Sequence, residues 1–217
     1  MIHSFIRKLT LIYDFLELKG GFGKVYHGYL ETPTAKNGKI EVAIKELIEE
    51  EPDSPRDDTV DAETKFIEFQ QEVYIMSQLS HANIVKLHGI IKKPLQMVLE
   101  FVPHGDLMNF LHPLDPVTQK RISIPKEKLP WKLRMLIALD IARGMLYLQK
   151  RNPPIIHRDL RSPNIFISSY SENPCHIRAK VADFGLSRYL FFTFFPLLPS
   201  PPFPSPPFLP FTEPNEH

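Results

Sequence analysis

The first hundred residues alternate between short apolar runs and polar stretches, which is typical of β-strands joined by turns. Val25 and Tyr26 are strong strand formers, and residues 41–47, EVAIKEL, indicate a buried strand. Two more apolar runs, residues 83–91 and residues 95–102, lie on either side of a Lys-Lys-Pro sequence. The pattern therefore predicts a small β-sheet in this part of the chain.

Two longer segments carry apolar side chains at helical spacing instead. In residues 61–79, with Asp61 in an N-cap position, these side chains are Phe66, Phe69, Val73, Met76 and Leu79. In residues 131–151 they are Leu133, Ile137, Ile141, Met145 and Leu148. Residues 49–58 are acidic and contain proline, which predicts an exposed loop. A sheet with one helix, followed by a helical part, predicts an α+β fold with two lobes.

The composition changes abruptly near residue 190, where the chain becomes rich in Phe, Leu and Pro. Prolines recur every one to three residues between 190 and 211, which excludes an ordinary membrane-spanning helix. Every residue in this stretch except Thr193 can be encoded by pyrimidine-only codons. We interpret it as a translated polypyrimidine tract, from a retained intron or a gene-model error. A peptide from this stretch in digested native protein would contradict that interpretation.

Charge and cysteine content exclude several classes of function. The 217 residues include 26 Lys and Arg against 25 Asp and Glu, a net charge of +1. This balance provides no broad basic surface for nucleic acid or an acidic membrane. Cys175 is the only cysteine, which excludes an internal disulfide and favours a reducing, cytoplasmic location. Asp14 and Glu17 interrupt the apolar N-terminal run, so we expect no signal peptide.

A glycine-rich turn in a hairpin-like unit of predicted strands consists of Gly20, Gly21, Phe22 and Gly23. A Walker A loop would need Gly at position 18 and Ser or Thr at position 25, where the chain has Leu18 and Val25. A dinucleotide fingerprint would need a helix directly after the last glycine, where a strand is predicted. The pattern Gly-x-Gly-x-x-Gly-x-Val, whose backbone N–H groups cover nucleotide phosphates, fits except at Leu18. An ordinary hairpin is the alternative for this motif taken alone.

A lysine and a glutamate form the next candidate pair. The buried strand that contains Ala43 ends at Lys45, whose ammonium group could neutralise phosphate charge. Glu72 borders the apolar stripe of the first helix and lies four residues before Met76, so the two share one face. A partly buried glutamate needs a cation, and Lys45 is the candidate. An ordinary edge lysine and a solvated glutamate are the alternatives.

Three polar residues in the second half could carry phosphate chemistry. Residues 155–167, IIHRDLRSPNIFI, contain Asp159 and Asn164, and KVADFGLS contains Asp183. One carboxylate can take a proton from an acceptor hydroxyl, while a second carboxylate and an amide oxygen can ligate Mg²⁺. Each Asp alone could equally form a turn or cap a helix. Their order after the glycine turn and the lysine makes chance a poor explanation.

Over residues 5–188 the chain resembles a eukaryotic protein kinase, on its glycine turn, Val-Ala-Ile-Lys, His-Arg-Asp-Leu-x-x-x-Asn and Asp-Phe-Gly. The sequences GGFGKVYHG, HRDLRSPNIFI and AKVADFGLS are most similar to the tyrosine-kinase-like group, in particular the Roco or leucine-rich-repeat kinases. The resemblance implies a bilobal kinase fold. It divides the chain into an N-lobe with hinge at 5–102, a partial C-lobe at 103–188 and a low-complexity tail at 189–217.

The resemblance also implies cofactors, a partner and a role for each site residue. The cofactors are ATP and Mg²⁺, and the partner is a protein substrate with a Ser or Thr acceptor. In the implied catalytic set, Lys45 pairs with Glu72, Asp159 is the base, Arg161 lies near the γ-phosphate, and Asn164 and Asp183 bind Mg²⁺. The implied nucleotide pocket comprises Gly20, Gly21, Phe22, Gly23, Val25, Ala43, Leu99, the hinge residues Glu100 to Val102, and Asp106 facing the ribose. Arg158 is implied to engage a phosphorylated activation segment, while Met76, His157 and Phe184 join an apolar spine.

The sequence departs from the family pattern in two places, and each departure leads to an expectation. Leu18 replaces the first glycine, which would cost about 1–3 kcal/mol if that position requires a glycine-only backbone. No Ala-Pro-Glu follows Asp183, so we expect a truncated domain in which the apolar face of residues 131–151 is exposed. The alternative function is a catalytically inactive binder of nucleotide or of a partner protein. A scaffold that acts through the proline-rich tail is a third hypothesis, and a longer parent protein is compatible with all three.

Overall fold

The structure is a computed structural model that describes residues 11–20, 23–33, 35, 37–47, 58–118, 120–122, 129–171 and 176–190. Several sequence predictions therefore lie outside the described residues. They concern the glycine-turn tip Gly21-Phe22, Cys175 and the tail from residue 191. The predicted acidic loop lies outside them too, except for its last residue.

A five-stranded antiparallel sheet forms the N-terminal lobe, as the apolar pattern predicted. Its strands are β1 (Leu11–Gly20), β2 (Gly23–Glu31), β3 (Lys39–Glu46), β4 (Leu87–Ile91) and β5 (Gln96–Glu100), in the order β1-β2-β3-β5-β4. β4 begins four residues later than its apolar run. The reason is that Asn83 and Val85 exchange backbone hydrogen bonds with Val181 of the second lobe, at 2.9 Å each.

One long helix, α1 (Asp58–Ser77), accompanies this sheet. The helix begins three residues before the predicted N-cap, so Asp61 lies inside it, and residues 58–60 contain no helix breaker. Phe69, Met76 and Leu79 are buried as predicted. Phe66 is 37% exposed, so its assignment to the buried stripe is wrong. The buried stripe therefore begins at Phe69, and it includes Ile75, which the sequence pattern did not assign to it.

The described part of the second lobe combines helices with short strands. The helices are α2 (Leu107–Leu111) and α3 (Trp131–Gln149), and a 3-10 turn spans Ser162–Asn164. The strands are β6 (Ile155–Ile156), β7 (Ile165–Ser171), β8 (His176–Val181) and β9 (Arg188–Tyr189), paired antiparallel as β6-β9 and β7-β8. The sequence pattern did not predict these four strands. The α+β class with two lobes is confirmed. In the described ranges, no helix has the length and apolarity needed to cross a membrane.

Helix α3 has two apolar stripes. The predicted stripe packs into the core, where Leu133, Ile137 and Leu148 are at most 5% exposed. The expectation that this face would be exposed is therefore wrong, because β8 and the residues around it cover it. The exposed apolar side chains belong to a second stripe, formed by Trp131, Met135, Leu139 and Leu146.

Gly144 provides a test of how closely α3 packs on the rest of the lobe. Alanine in place of a mid-helix glycine normally stabilises a protein by about 0.5–1 kcal/mol. A Cβ at Gly144 would lie 2.9 Å from the carbonyl oxygen of Asn83 and 3.2 Å from Cγ2 of Val181. We therefore expect Gly144→Ala to lower the free energy of unfolding by about 1–3 kcal/mol, measured by urea denaturation. Ala142→Ser on the exposed side is the control, and stabilisation by Gly144→Ala would contradict the packing described.

Candidate active site

Lys45 lies between two carboxylates that come from different parts of the chain. Its Nζ is 3.0 Å from Oε2 of Glu72 on α1 and 3.7 Å from Oδ1 of Asp183. Glu72 is nearly buried, with 7% of its side chain exposed. Burial alone would lower the pKa of Lys45, but the charges of Glu72 and Asp183 outweigh it and raise the pKa overall. The ammonium group is therefore held in its charged form, within reach of an anionic ligand.

A second group of polar side chains surrounds Asp159. Nδ2 of Asn164 donates hydrogen bonds to the backbone oxygen of Asp159 at 2.9 Å and to its Oδ2 at 2.8 Å. Nε of Arg161 lies 3.5 Å from Oδ1 of the same carboxylate. The 3-10 turn after Arg161 brings Asn164 back to Asp159, since the backbone N–H of Asn164 donates to the oxygen of Arg161. The carboxylate of Asp159 is therefore fixed in orientation by two neighbours.

The side chains of His157 and Phe184 lie in the core and connect the residues around Lys45 to those around Asp159. Both side chains are fully buried, and their ring centroids are 5.0 Å apart in an edge-to-face arrangement. Nε2 of His157 contacts the oxygen of Ala182 at 3.0 Å, and its Nδ1 accepts from the N–H of Asp159 at 3.3 Å. This pattern assigns the neutral tautomer with the proton on Nε2. The imidazole ring of His157 therefore links Ala182, the residue before Asp183, to the backbone of Asp159.

The buried ring of His157 predicts an acid-sensitive stability. Burial lowers the pKa of His157 from its ordinary value of 6.5, although the nearby carboxylates oppose the shift. Below about pH 6.5 the unfolded chain takes up a proton that the folded ring resists, so the free energy of unfolding should fall. We expect the free energy of unfolding of His157→Gln, measured by urea denaturation, to fall less than that of the wild type between about pH 7.5 and about pH 5.5. Equal losses would contradict this origin and favour His88, whose pKa burial also lowers.

Two residues of the site adopt a backbone conformation that side chains usually avoid. Arg158 has φ 65° and Asp183 has φ 62°, both in the left-handed region. Nε of Arg158 donates to the backbone oxygen of Leu186. Oδ1 of Asp183 accepts from the N–H of Gly185 at 3.4 Å. Such conformations cost about 1–3 kcal/mol each and concentrate at functional sites.

The predicted adenine pocket is partly assembled from strands β3 and β5. Ala43 and Leu99 are direct partners in the ladder of these strands. Leu99 packs with Val102 and with two residues that the sequence reasoning missed, Ala182 and Phe166. Phe166 lies in β7, shortly after Asn164 of the 3-10 turn. Only the pairing of β7 with neighbouring segments shows that Phe166 reaches this cluster. These side chains form one apolar cluster between the lobes.

Two predicted pocket residues engage protein partners through their side chains. Asp106 caps α2, where its Oδ1 accepts from the N–H of Asn109 at 2.8 Å. The carboxylate of Glu100 binds Lys180 of β8, at 2.7 Å between Nζ and Oε1. Glu100 would therefore meet a nucleotide through its backbone rather than its side chain.

The pairing of β1 with β2 is regular next to the glycine turn. Gly20 pairs with Gly23 at the end of the β1-β2 ladder, and Leu18 pairs with Val25 two residues earlier. Val25 in turn lies opposite Lys45 in the next strand. Because Leu18 lies in the regular part of the ladder, from Glu17 to Gly20, the structure gives no sign of a glycine-only backbone at this position.

The oxygens near Asp183 suit a hard cation. Both hydrogen bonds from the side chain of Asn164 use Nδ2, which leaves Oδ1 for a ligand, and its backbone oxygen accepts from Ala182, next to Asp183. An amide oxygen and a carboxylate are donors that Mg²⁺ prefers when phosphate oxygens complete the shell. Within the part of the chain that is described, no group of three His, Cys, Asp or Glu side chains could hold a metal by itself. The residues present therefore fit Mg²⁺ held together with a nucleotide.

Comparison with known proteins identifies the family. A family model for protein tyrosine and serine/threonine kinases matches residues 17–193. The chain is 47% identical over 169 residues to "Probable serine/threonine-protein kinase roco11" of Dictyostelium discoideum, covering 78% of this chain and 10% of that protein. It is 49% identical over 124 residues to "Probable serine/threonine-protein kinase qkgA" of the same organism, covering 57% of this chain and 7% of that protein.

A plant kinase is also similar. "Serine/threonine-protein kinase CTR1" of Arabidopsis thaliana is 38% identical over 177 residues, covering 81% of this chain and 18% of that protein. The chain thus spans less than a fifth of the length of each of these three relatives. The resemblance to Roco kinases and to the tyrosine-kinase-like group is confirmed. The chain belongs to the protein tyrosine and serine/threonine kinase family.

Proposed function

We propose that the chain is part of a longer protein kinase and transfers the γ-phosphoryl group of ATP to a Ser or Thr hydroxyl of a protein. The observation that carries the proposal is Lys45 held between Glu72 and Asp183, at 3.0 and 3.7 Å, while Phe184 is buried against His157. In this arrangement the ammonium group of Lys45 and the carboxylate of Asp183 would face the same cleft. The three relatives are each named as serine/threonine-protein kinases, which supports Ser or Thr as the acceptor.

The cleft between the lobes would hold the nucleotide. The apolar cluster of Leu99, Val102 and Phe166 would pack against the adenine, and the backbone of the hinge after Glu100 would bind its polar edge. Gly20 and Gly23 would bring backbone N–H groups to the phosphates. Lys45 would pair with phosphate oxygens, because its charge is maintained by two carboxylates.

Four side chains would carry the transfer itself. Asn164 and Asp183 would hold Mg²⁺, which would offset the negative charge of the phosphate groups. Asp159 would accept the proton of the acceptor hydroxyl as that oxygen bonds to the γ-phosphorus and the bond to the β-phosphate oxygen breaks, releasing ADP. Arg161, 3.5 Å from Asp159, would stabilise the charge that develops on the transferring group. We also propose a cytoplasmic location.

Nucleotide binding and transfer, measured on the same sample, test this function. Mg-ATP at about 100 times its Kd should stabilise the purified protein by about 2.7 kcal/mol and raise its melting temperature. A library of Ser-, Thr- and Tyr-containing peptides should then acquire phosphate on Ser or Thr. Stabilisation without any transfer would support the alternative, a catalytically inactive nucleotide binder. Absence of both would contradict the proposed function.

A further inference from the structure

One apolar stripe of α3 is left uncovered by the described part of the chain. It consists of Trp131, Met135, Leu139 and Leu146, whose exposed fractions lie between 45% and 74%. Residues spaced by four and by seven positions lie on one face of a helix, so the four side chains form one continuous strip. A contiguous apolar surface of this kind marks either a binding surface or an aggregation hazard.

The described part of the chain ends beside this helix. Leu190 is its last residue, and the backbone N–H of Leu190 donates to the oxygen of Pro154 at 2.7 Å. Pro154 lies five residues after Gln149, where α3 ends, and α3 packs against the strand β6 that follows. Residues 191–217, which we call the distal tail, therefore begin near the Leu146 end of the stripe.

The distal tail is long enough to follow the whole stripe. Helix α3 has 19 residues, so at a rise of 1.5 Å per residue it is about 28 Å long. A segment rich in proline favours the polyproline II conformation, which rises about 3.1 Å per residue. At that rise roughly nine residues match the length of α3, and residues 191–217 are three times as many.

The composition of the distal tail suits this surface. Residues 191–212 contain no charged side chain and consist mostly of Phe, Leu and Pro. Phe and Leu side chains gain from the burial of apolar area, and proline-rich segments dock on exposed aromatic side chains, which Trp131 provides. A segment without charges also loses no hydration of charged groups when it packs. The distal tail and the stripe are therefore complementary in position, length and chemistry.

We propose that the distal tail folds back along α3 and covers the stripe from Leu146 to Trp131. This intramolecular cover hides the apolar strip from other molecules and so limits aggregation of the partial second lobe. Translation through a retained intron gives the protein this tail. Docking of the tail involves no phosphate transfer, so it is independent of the proposed function.

Trp131 is the only tryptophan of the chain, so its fluorescence reports directly on the stripe. Two variants of the full chain should expose it: one with Phe→Ser at every phenylalanine of the distal tail, and Leu139→Lys, which places a charge in the stripe. If the tail covers at least about half of the molecules, acrylamide should quench Trp131 in either variant about twice as strongly as in the wild type, or more. Val117→Lys, at an 88% exposed position outside α3, is the matched control and should be quenched like the wild type.

Chymotrypsin provides a second readout, because it cleaves after the phenylalanines of the distal tail. A docked tail should be cleaved more slowly in the wild type and in Val117→Lys than in Leu139→Lys. The tail variant changes no described residue, so a folding defect in Leu139→Lys would leave the fluorescence comparison intact.

Three results of the fluorescence experiment decide between the possible occupants of the stripe. A monomeric wild type in which Trp131 is protected, and is exposed by the tail variant, supports the intramolecular cover. Quenching of the wild type as strong as that of the tail variant shows an open stripe and overturns the proposal. Protection that the tail variant leaves intact but dilution removes, together with a dimer in sedimentation, assigns the stripe to a second copy of the chain and also overturns it.

Discussion

Asp159→Asn is expected to lower kcat about 10²- to 10⁴-fold, the usual contribution of a positioned general base. The amide cannot accept the hydroxyl proton, yet it has the same shape as the carboxylate and one oxygen that can still accept from Asn164. The fold and the cleft should therefore survive. Affinity for Mg-ATP, measured by calorimetry, should be nearly unchanged while peptide phosphorylation falls.

A matched substitution separates this effect from the loss of any carboxylate. Asp115 is partly exposed and accepts hydrogen bonds from the N–H groups of Val117 and Thr118 within its own loop. Asp115→Asn removes the same charge and should leave turnover at the wild-type level. If Asp159→Asn phosphorylates as fast as Asp115→Asn, the general-base assignment is wrong.

Lys45→Met should have the second large effect, on activity and stability together. Removal of the ammonium group leaves the nearly buried Glu72 and the neighbouring Asp183 without their shared cation. Breaking a buried pair by removing one partner typically costs about 3–5 kcal/mol, so the free energy of unfolding should drop strongly in urea denaturation. Phosphate transfer should also fall to background, because no other cation in the described site lies between these carboxylates.

Two further variants distinguish the ion pair from general damage. Lys39→Met breaks an exposed pair with Glu31, 3.9 Å apart, and should cost about 1 kcal/mol or less. The double variant Lys45→Met/Glu72→Leu removes both buried charges and should recover most of the lost stability without recovering activity. A double variant as unstable as Lys45→Met alone would show that packing, rather than the unpaired charge, causes the loss.

Local chemistry made part of this site predictable from the sequence. The sequence predicts a buried strand that ends in Lys45 and a helix face that carries Glu72, and each buried charge needs a partner. The structure places Nζ of Lys45 3.0 Å from Oε2 of Glu72. Asp159 and Asn164 are five residues apart, so one turn suffices to join them. The glycine turn followed from a strand on each side of it. In each case a short stretch of chain contained the decisive information.

Contacts between distant segments were not predictable in the same way. The ion pair of Glu100 and Lys180 spans 80 residues, and neither position differs in type from an ordinary surface charge. Phe166 joins the apolar cluster only because β7 lies beside the hinge, and β7 itself has no clear alternation. The hydrogen bond from the side chain of Arg158 to Leu186 spans 28 residues. Such features follow from tertiary pairing, which a local pattern does not encode.

The central claim is that Lys45, Asp159 and Asp183 form one site for phosphoryl transfer. The most direct measurement is the rate at which the purified protein transfers radioactive γ-phosphate from Mg-ATP to Ser- or Thr-containing peptides, compared with Asp159→Asn under saturating ATP. The account predicts phosphoserine or phosphothreonine from the wild type and a rate about 10²- to 10⁴-fold lower from the variant. Phosphate found only on Tyr would contradict the Ser or Thr acceptor, and equal rates from the two proteins would contradict the central claim.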